Sequence, residues 1–170
     1  MIDKIRFIEK VRSNINQYGH HITIVNGGGL PRYAYTIGLM KTLGIELVFA
    51  GGIHFLKDEL YHIINTVAES LKTEQDTEKI KLNIDGLGSF TISNVKSSWS
   101  KSLMLGAFDF FELNELKAFQ IRPDSRHSTL DIPDMSKEID LESESIWQWH
   151  GKEWPYEIPQ NSTEITDLSA

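Results

Sequence analysis

Cysteine is absent from the 170 residues. Its absence excludes a disulfide framework, a thiolate zinc site, an iron–sulfur cluster and a cysteine nucleophile, and it fits a reducing compartment. Long apolar runs are also missing. The best is Leu47 to Ile53, far short of the roughly 20 residues that span a bilayer. The start, MIDKIRFIEK, mixes apolar with charged residues and lacks the unbroken apolar stretch of a signal peptide. The chain is therefore expected to be cytoplasmic, with no membrane contact. Neither GxGxxG nor GxxxxGK occurs, and there is no internal repeat. Basic charge is scarce towards the C-terminus. Residues 1–123 hold 14 Lys and Arg against 13 Asp and Glu, a net of +1, whereas residues 124–170 hold 3 against 11, a net of −8. An acidic segment repels phosphate backbones, which speaks against nucleic acid as a partner.

What is present describes one globular domain. Apolar residues make up 40% and charged residues 24%, which excludes a largely disordered chain. A domain of this length buries roughly two-thirds of its unfolded surface, enough to stand without metals or crosslinks.

Hydropathy periods set out the elements. Asp3 is positioned to cap a first helix, with Ile5, Ile8, Val11 and Ile15 at helical spacing and Tyr18-Gly19 as its stop. His20 to Asn26 is β-branched and strand-like, Gly27-Gly28-Gly29-Leu30-Pro31 reads as a turn, and Arg32 to Leu39 as the second strand of a hairpin. Leu43-Gly44 is a break, and Glu46 to Ala50 reads as a third, buried strand. Leu56, Leu60, Ile63, Ile64, Val67 and Leu71 predict a core-facing helix over 55–72. Residues 79–95 alternate as a second hairpin, 103–111 reads as a short helix and 116–121 as a last strand. Four of the five prolines and three of the four tryptophans lie beyond residue 122. The expected architecture is α+β: one largely antiparallel sheet of about six strands, packed by two or three helices. The core would span 1–122. An ordered, acidic arm rich in Pro and Trp would span 123–162 and pack back on the core, leaving 163–170 as a flexible tail.

Few motifs point to chemistry. The triple glycine is followed by Leu30-Pro31 and a strand, not by the helix that a phosphate loop requires. His20 and His21 are adjacent on a strand, so they point to opposite faces. His54 and His62 are about 80° apart around a helix axis and miss the i, i+4 spacing of a metal pair. No metal and no cofactor is predicted. The densest polar stretch is Arg122-Pro123-Asp124-Ser125-Arg126-His127-Ser128-Thr129-Leu130-Asp131, just past a strand end. It could do acid–base work, or be a loop held by Asx-turns and an Arg–Asp pair. In Tyr33-Ala34-Tyr35-Thr36-Ile37 a buried hydroxyl needs a partner, and His21 across the hairpin and Glu46 on the next strand are the options.

At these residues the sequence resembles a bacterial family catalogued as domain of unknown function 4262. The segments that carry the resemblance are Tyr18-Gly19-His20-His21, Pro31 to Leu39, Gly44-Ile45-Glu46-Leu47, Gln120 to Asp124, Ser128 to Met135, and Trp154-Pro155-Tyr156 with Pro159 and Ser162. The family pattern has tryptophan where this chain has His20 and favours proline at Ile45, so His21 corresponds to the family histidine. The resemblance implies a small bacterial protein and no particular activity.

Two functional readings follow. In the first, the protein is a non-catalytic binding module of the immunity or antitoxin kind that neutralises a toxin domain. Asp140, Glu142 and Glu144 would steer it to a basic partner, and Trp147, Trp154 and Tyr156 would anchor it. In the second, it is a small-ligand binder or enzyme, with a pocket lined by His21, Tyr35, Thr36, Glu46, Arg122, Asp124, His127 and Asp131. One of the histidines would act as acid–base and Arg122 would clamp an anion. The sequence indicates no oligomeric state.

Overall fold

The computed structural model describes residues 2–25, 33–50, 55–73, 80–124 and 132–139. Eleven elements follow one another: α1 (Ile2–Tyr18), β1 (His21–Val25), β2 (Tyr33–Ile37), α2 (Met40–Leu43), β3 (Glu46–Ala50), α3 (Lys57–Thr73), β4 (Lys81–Ile84), β5 (Gly88–Asn94), α4 (Ser97–Leu103), α5 (Leu105–Phe111) and β6 (Ala118–Pro123). The strands form one sheet in the order β1-β2-β3-β6-β5-β4. Four pairings are antiparallel and β3–β6 is parallel. The parallel pair requires a long crossover, and the chain uses α3, the β4–β5 hairpin and the two short helices to make it. The result is α+β with a mixed six-stranded sheet.

Side-chain alternation divides the core into two layers. Ile22, Ile24, Ala34, Leu47, Phe49, Phe90, Ile92, Phe119 and Ile121 pack with Leu60, Ile63, Ile64, Val67 and Leu71 of α3. On the other face, Tyr33, Tyr35, Ile37, Val48, Ala50 and Ala118 pack with Phe7 and Val11 of α1, Trp99 and Leu103 of α4, and Ala107 of α5. Because both faces are covered, β1, β2 and β3 are buried along their whole length.

The structure departs from the sequence reading in four places. First, α1 buries Phe7, Val11 and Asn14, while Ile8 and Ile15 sit at the flank and Ile5 is 53% exposed. Second, Leu56 is 72% exposed and lies just before α3 instead of on its core face. Third, the helix expected over 103–111 is α5, which starts only at Leu105; Met104, whose φ of −104° and ψ of 42° are not helical, separates it from α4, a helix that was not expected. The serine-rich sequence of α4, SSWSKSL, hides its period, because serine is a weak helix former with little hydropathy signal. Fourth, α2 stands where only a break was expected, so the described residues hold five helices, not two or three.

Residues 132–139 lie against the α4 side of the sheet. The Gln120 amide donates to the Pro133 carbonyl at 2.9 Å and accepts from the Met135 amide at 3.0 Å. The Trp99 indole donates to the Lys137 carbonyl at 2.8 Å, and the Lys96 amide donates to the Met135 carbonyl at 2.7 Å. Helix α1 already includes Ile2, so Asp3 lies within the helix and not at its cap. The Gly27–Gly29 turn, His54 and the arm beyond residue 139 lie outside the described residues.

Candidate functional site

Glu46 opens β3, and its own amide is tied to the Lys117 carbonyl at 3.0 Å. Its side chain is fully buried. Both carboxylate oxygens are surrounded by donors. Oε1 accepts from the Thr36 hydroxyl at 2.7 Å and the Leu39 amide at 3.1 Å. Oε2 accepts from the Gly38 amide at 2.8 Å and the Met40 amide at 3.1 Å. The Thr36 oxygen in turn accepts from the Leu47 amide at 2.8 Å.

The turn after β2 creates this arrangement. Gly38 has φ +123°, and a Cβ there would lie 2.9 Å from Ile15 Cγ1 and 3.1 Å from the His20 backbone. Only glycine fits that conformation and that space. The tight turn points three successive amides at Glu46, and the last belongs to the first residue of α2. The carboxylate thus caps α2, whose N-cap residue Leu39 supplies no side-chain cap. Burial pushes the Glu46 carboxyl up to about 7, and the four hydrogen bonds oppose that rise.

His21 lies on the α1 face. The Asn14 side-chain amide donates to its Nδ1 at 2.8 Å, and its Nε2 is 3.1 Å from the Thr23 hydroxyl. With Nδ1 accepting, the proton sits on Nε2 and is donated to Thr23. Phe7 packs edge-on against the imidazole, with ring centres 6.1 Å apart. Thr23 stands opposite Tyr35 in the hairpin and hydrogen-bonds to its hydroxyl. Tyr35 also accepts from the Gly106 amide of α5 at 3.0 Å, and burial holds its phenol well above the usual tyrosine range. A buried polar chain therefore runs Asn14–His21–Thr23–Tyr35–Gly106 and joins α1, β1, β2 and α5. His20 points the other way, to Asn65 of α3 at 2.9 Å, and burial lowers its pKa.

The residues expected to share a pocket fall into separate places. Thr36 binds Glu46 as the sequence suggested. His21 joins Tyr35 through Thr23 and not directly. Arg122 and Asp124 lie towards the other end of the sheet. Glu46 is level with Ala118 in the β3–β6 ladder, so Arg122 is four residues, about 13 Å, further along. There Arg122 pairs with Asp134 at 3.6 Å, both partly exposed. Asp124 accepts from the Ser89 amide at 3.1 Å. Asp134 also accepts from the amide and hydroxyl of Ser136, which together with Arg122 holds its carboxyl below the usual range. An Asx-turn and an Arg–Asp pair are thus both present in this loop. His127, Asp131, Asp140, Glu142, Glu144, Trp147, Trp154 and Tyr156 lie outside the described residues.

Asn14, Thr23 and Gln120 are buried polar residues that sequence reasoning missed. A signal for Asn14 existed, because it continues the Phe7–Val11 line at i+7 on an otherwise apolar stripe. Gln120 likewise interrupts an apolar strand. A depression of about 500 Å³ on the solvent side of α1 is lined by Glu9, Arg12, Ser13, Asn16 and Gln17, none of them among the expected pocket residues. Among the described residues, no three His, Asp or Glu side chains are placed to hold a metal. No described helix is long and apolar enough to cross a membrane.

The model of a family described as Domain of unknown function (DUF4262) matches residues 14–128. No curated protein and no solved structure matches the chain.

Proposed function

The chain belongs to the DUF4262 family, and from that premise we propose that it is a non-catalytic protein-binding module of the cytoplasm, of the immunity or antitoxin kind, whose partner is a basic toxin domain. One observation carries this reading. Among the described residues expected in the pocket, His21 and Glu46, the two suited to acid–base work, are fully buried, with both ring nitrogens and both carboxylate oxygens hydrogen-bonded inside the fold. Groups held this way serve the fold first. The charge imbalance supports the nature of the partner: residues 124–170 carry a net of −8, and an acidic surface accelerates encounter with a basic protein.

The test is native mass spectrometry of the protein isolated gently from its own host, followed by association kinetics with whatever protein co-purifies. The expected result is a stoichiometric complex with a basic protein. Replacing Asp140, Glu142 and Glu144 by Asn, Gln and Gln should then slow association by about tenfold at low salt, with little change at high salt. An unchanged on-rate at low salt removes the steering argument.

A second reading, a small-ligand binder or enzyme, is favoured by the Glu46 carboxyl, which titrates at about 7, in the range that suits a general acid or base. A small-molecule adduct in the same spectrum, lost on Glu46→Gln, would support it.

A further inference from the structure

Glu46 meets only hydrogen-bond donors at one oxygen, Oε2, namely the Gly38 and Met40 amides. At Oε1 it meets the Leu39 amide and one group with lone pairs, the Thr36 hydroxyl. Among the described residues, Thr36 is therefore the neighbour able to receive a proton-bearing carboxyl oxygen. We propose that Thr36, Glu46 and residues 38–43 form a proton-operated latch: the ionised carboxylate closes the turn and caps α2, and protonation reverses the Thr36–Glu46 hydrogen bond and loosens the Leu39 amide.

The exchange balances with one proton taken from solvent. It lands on Oε1, because at Oε2 it would face two N–H groups. The carboxyl O–H then donates to Thr36 Oγ1, which already accepts from the Leu47 amide, so the threonine hydroxyl hydrogen must rotate away. Oε2 becomes the carbonyl oxygen and keeps Gly38 and Met40. Leu39 is left facing the O–H oxygen, a much weaker acceptor than the carboxylate, and with the stronger bond goes part of the cap of a four-residue helix that has no side-chain cap of its own. Lys41, Thr42 and Gly44 are exposed, so loosening α2 changes what the surface presents.

The titratable groups on neighbouring elements are His21 on β1, Lys41 on α2, Lys117 before β6, and Tyr18 and His20 at the corner between α1 and β1. None of them pairs with Glu46. No charged neighbour contributes to its shifted titration, which arises from burial and its four hydrogen bonds. Burial sets the transition near 7, within the range cells experience. The latch does not depend on the protein-binding reading.

The experiment is an NMR titration of the intact chain from about pH 5 to 9, following the Glu46 carboxyl carbon and the Gly38, Leu39 and Met40 amides. The expected result is a Leu39 amide that titrates with the Glu46 midpoint. Its exchange protection, corrected for intrinsic rate, should fall about tenfold on the acid side, with Gly38 and Met40 less affected. In Glu46→Gln, Leu39 should show no such midpoint. A Glu46 carbon that titrates while Leu39 does not, or a uniform loss of protection at all three amides, overturns the latch. Should the variant fail to fold, the titration of the unaltered chain decides alone.

Discussion

The Tyr35 hydroxyl accepts the Gly106 amide at 3.0 Å, and a Cβ on Gly106 would lie 2.6 Å from that same oxygen and 2.6 Å from Phe7 Cζ. Strand β2 and helix α5 thus meet through a contact that leaves no room for a methyl group. Gly106→Ala should lower stability by about 1–3 kcal/mol, through overpacking and loss of the hydrogen bond. Urea unfolding at constant m-value checks it. A change within error would mean that α5 shifts freely on the sheet.

His21 and Asp124 belong to different ends of the fold, and their substitutions should behave differently. His21→Ala strands the Asn14 amide in the core and takes from the Thr23 hydroxyl its donor, leaving it only Tyr35, and should cost about 2–4 kcal/mol. Asp124→Ala removes an acceptor from the Ser89 amide at a part-buried site and should cost about 0.5–1.5 kcal/mol. The double variant should show additivity within about 0.5 kcal/mol. A larger coupling energy would restore the idea of one shared pocket.

Glu46 predicts a pH dependence of known sign. Its carboxyl rises from 4.5 to about 7 on folding, so between those values the folded chain holds a proton that the unfolded chain releases. The stability this contributes is full below about pH 4.5 and is lost as pH rises to about 7, at most about 3 kcal/mol. His20 works in the opposite sense, because burial lowers its pKa. The difference between the unaltered chain and Glu46→Gln cancels His20 and isolates Glu46. Denaturant titrations at both ends of the window should show that difference shrinking with pH; a constant difference rules the assignment out.

Gln120 clasps Pro133 and Met135 with both ends of its amide. Gln120→Leu should leave the Met135 amide and the Pro133 carbonyl without that partner. The expected cost is about 1–3 kcal/mol, with faster hydrogen exchange at Met135. Retained protection there would show that Trp99 and Lys96 hold the segment unaided.

Much of the secondary structure was legible because it is written in local periods. The third strand was read as Glu46 to Ala50, which is β3. The two hairpins followed from alternation about turn residues, and α3 followed from the spacing of Leu60, Ile63, Ile64, Val67 and Leu71. The opposite directions of His20 and His21 were read from the two-residue period of a strand, although β1 itself begins only at His21. The Thr36–Glu46 bond was one of the options because a buried hydroxyl must find an acceptor. By contrast, α2 was illegible: its cap comes from Glu46, across a turn and on another element, and no local pattern encodes that. The α4 helix was hidden by serines whose stabilising contacts are tertiary.

The sequence by itself determined a single α+β domain, its strands and long helices, its family and the division between a neutral body and an acidic C-terminal stretch. These depend on composition and on spacing along the chain. Only the tertiary structure decided which polar residues meet. It joined Asn14 to His21, Tyr35 to Gly106 and Gln120 to Met135, and it placed Arg122 and Asp124 at the far end of the sheet from Glu46. The parallel β3–β6 pairing sets that separation, because it aligns the start of β3 with the start of β6 and carries the polar end of β6 away from the buried carboxylate.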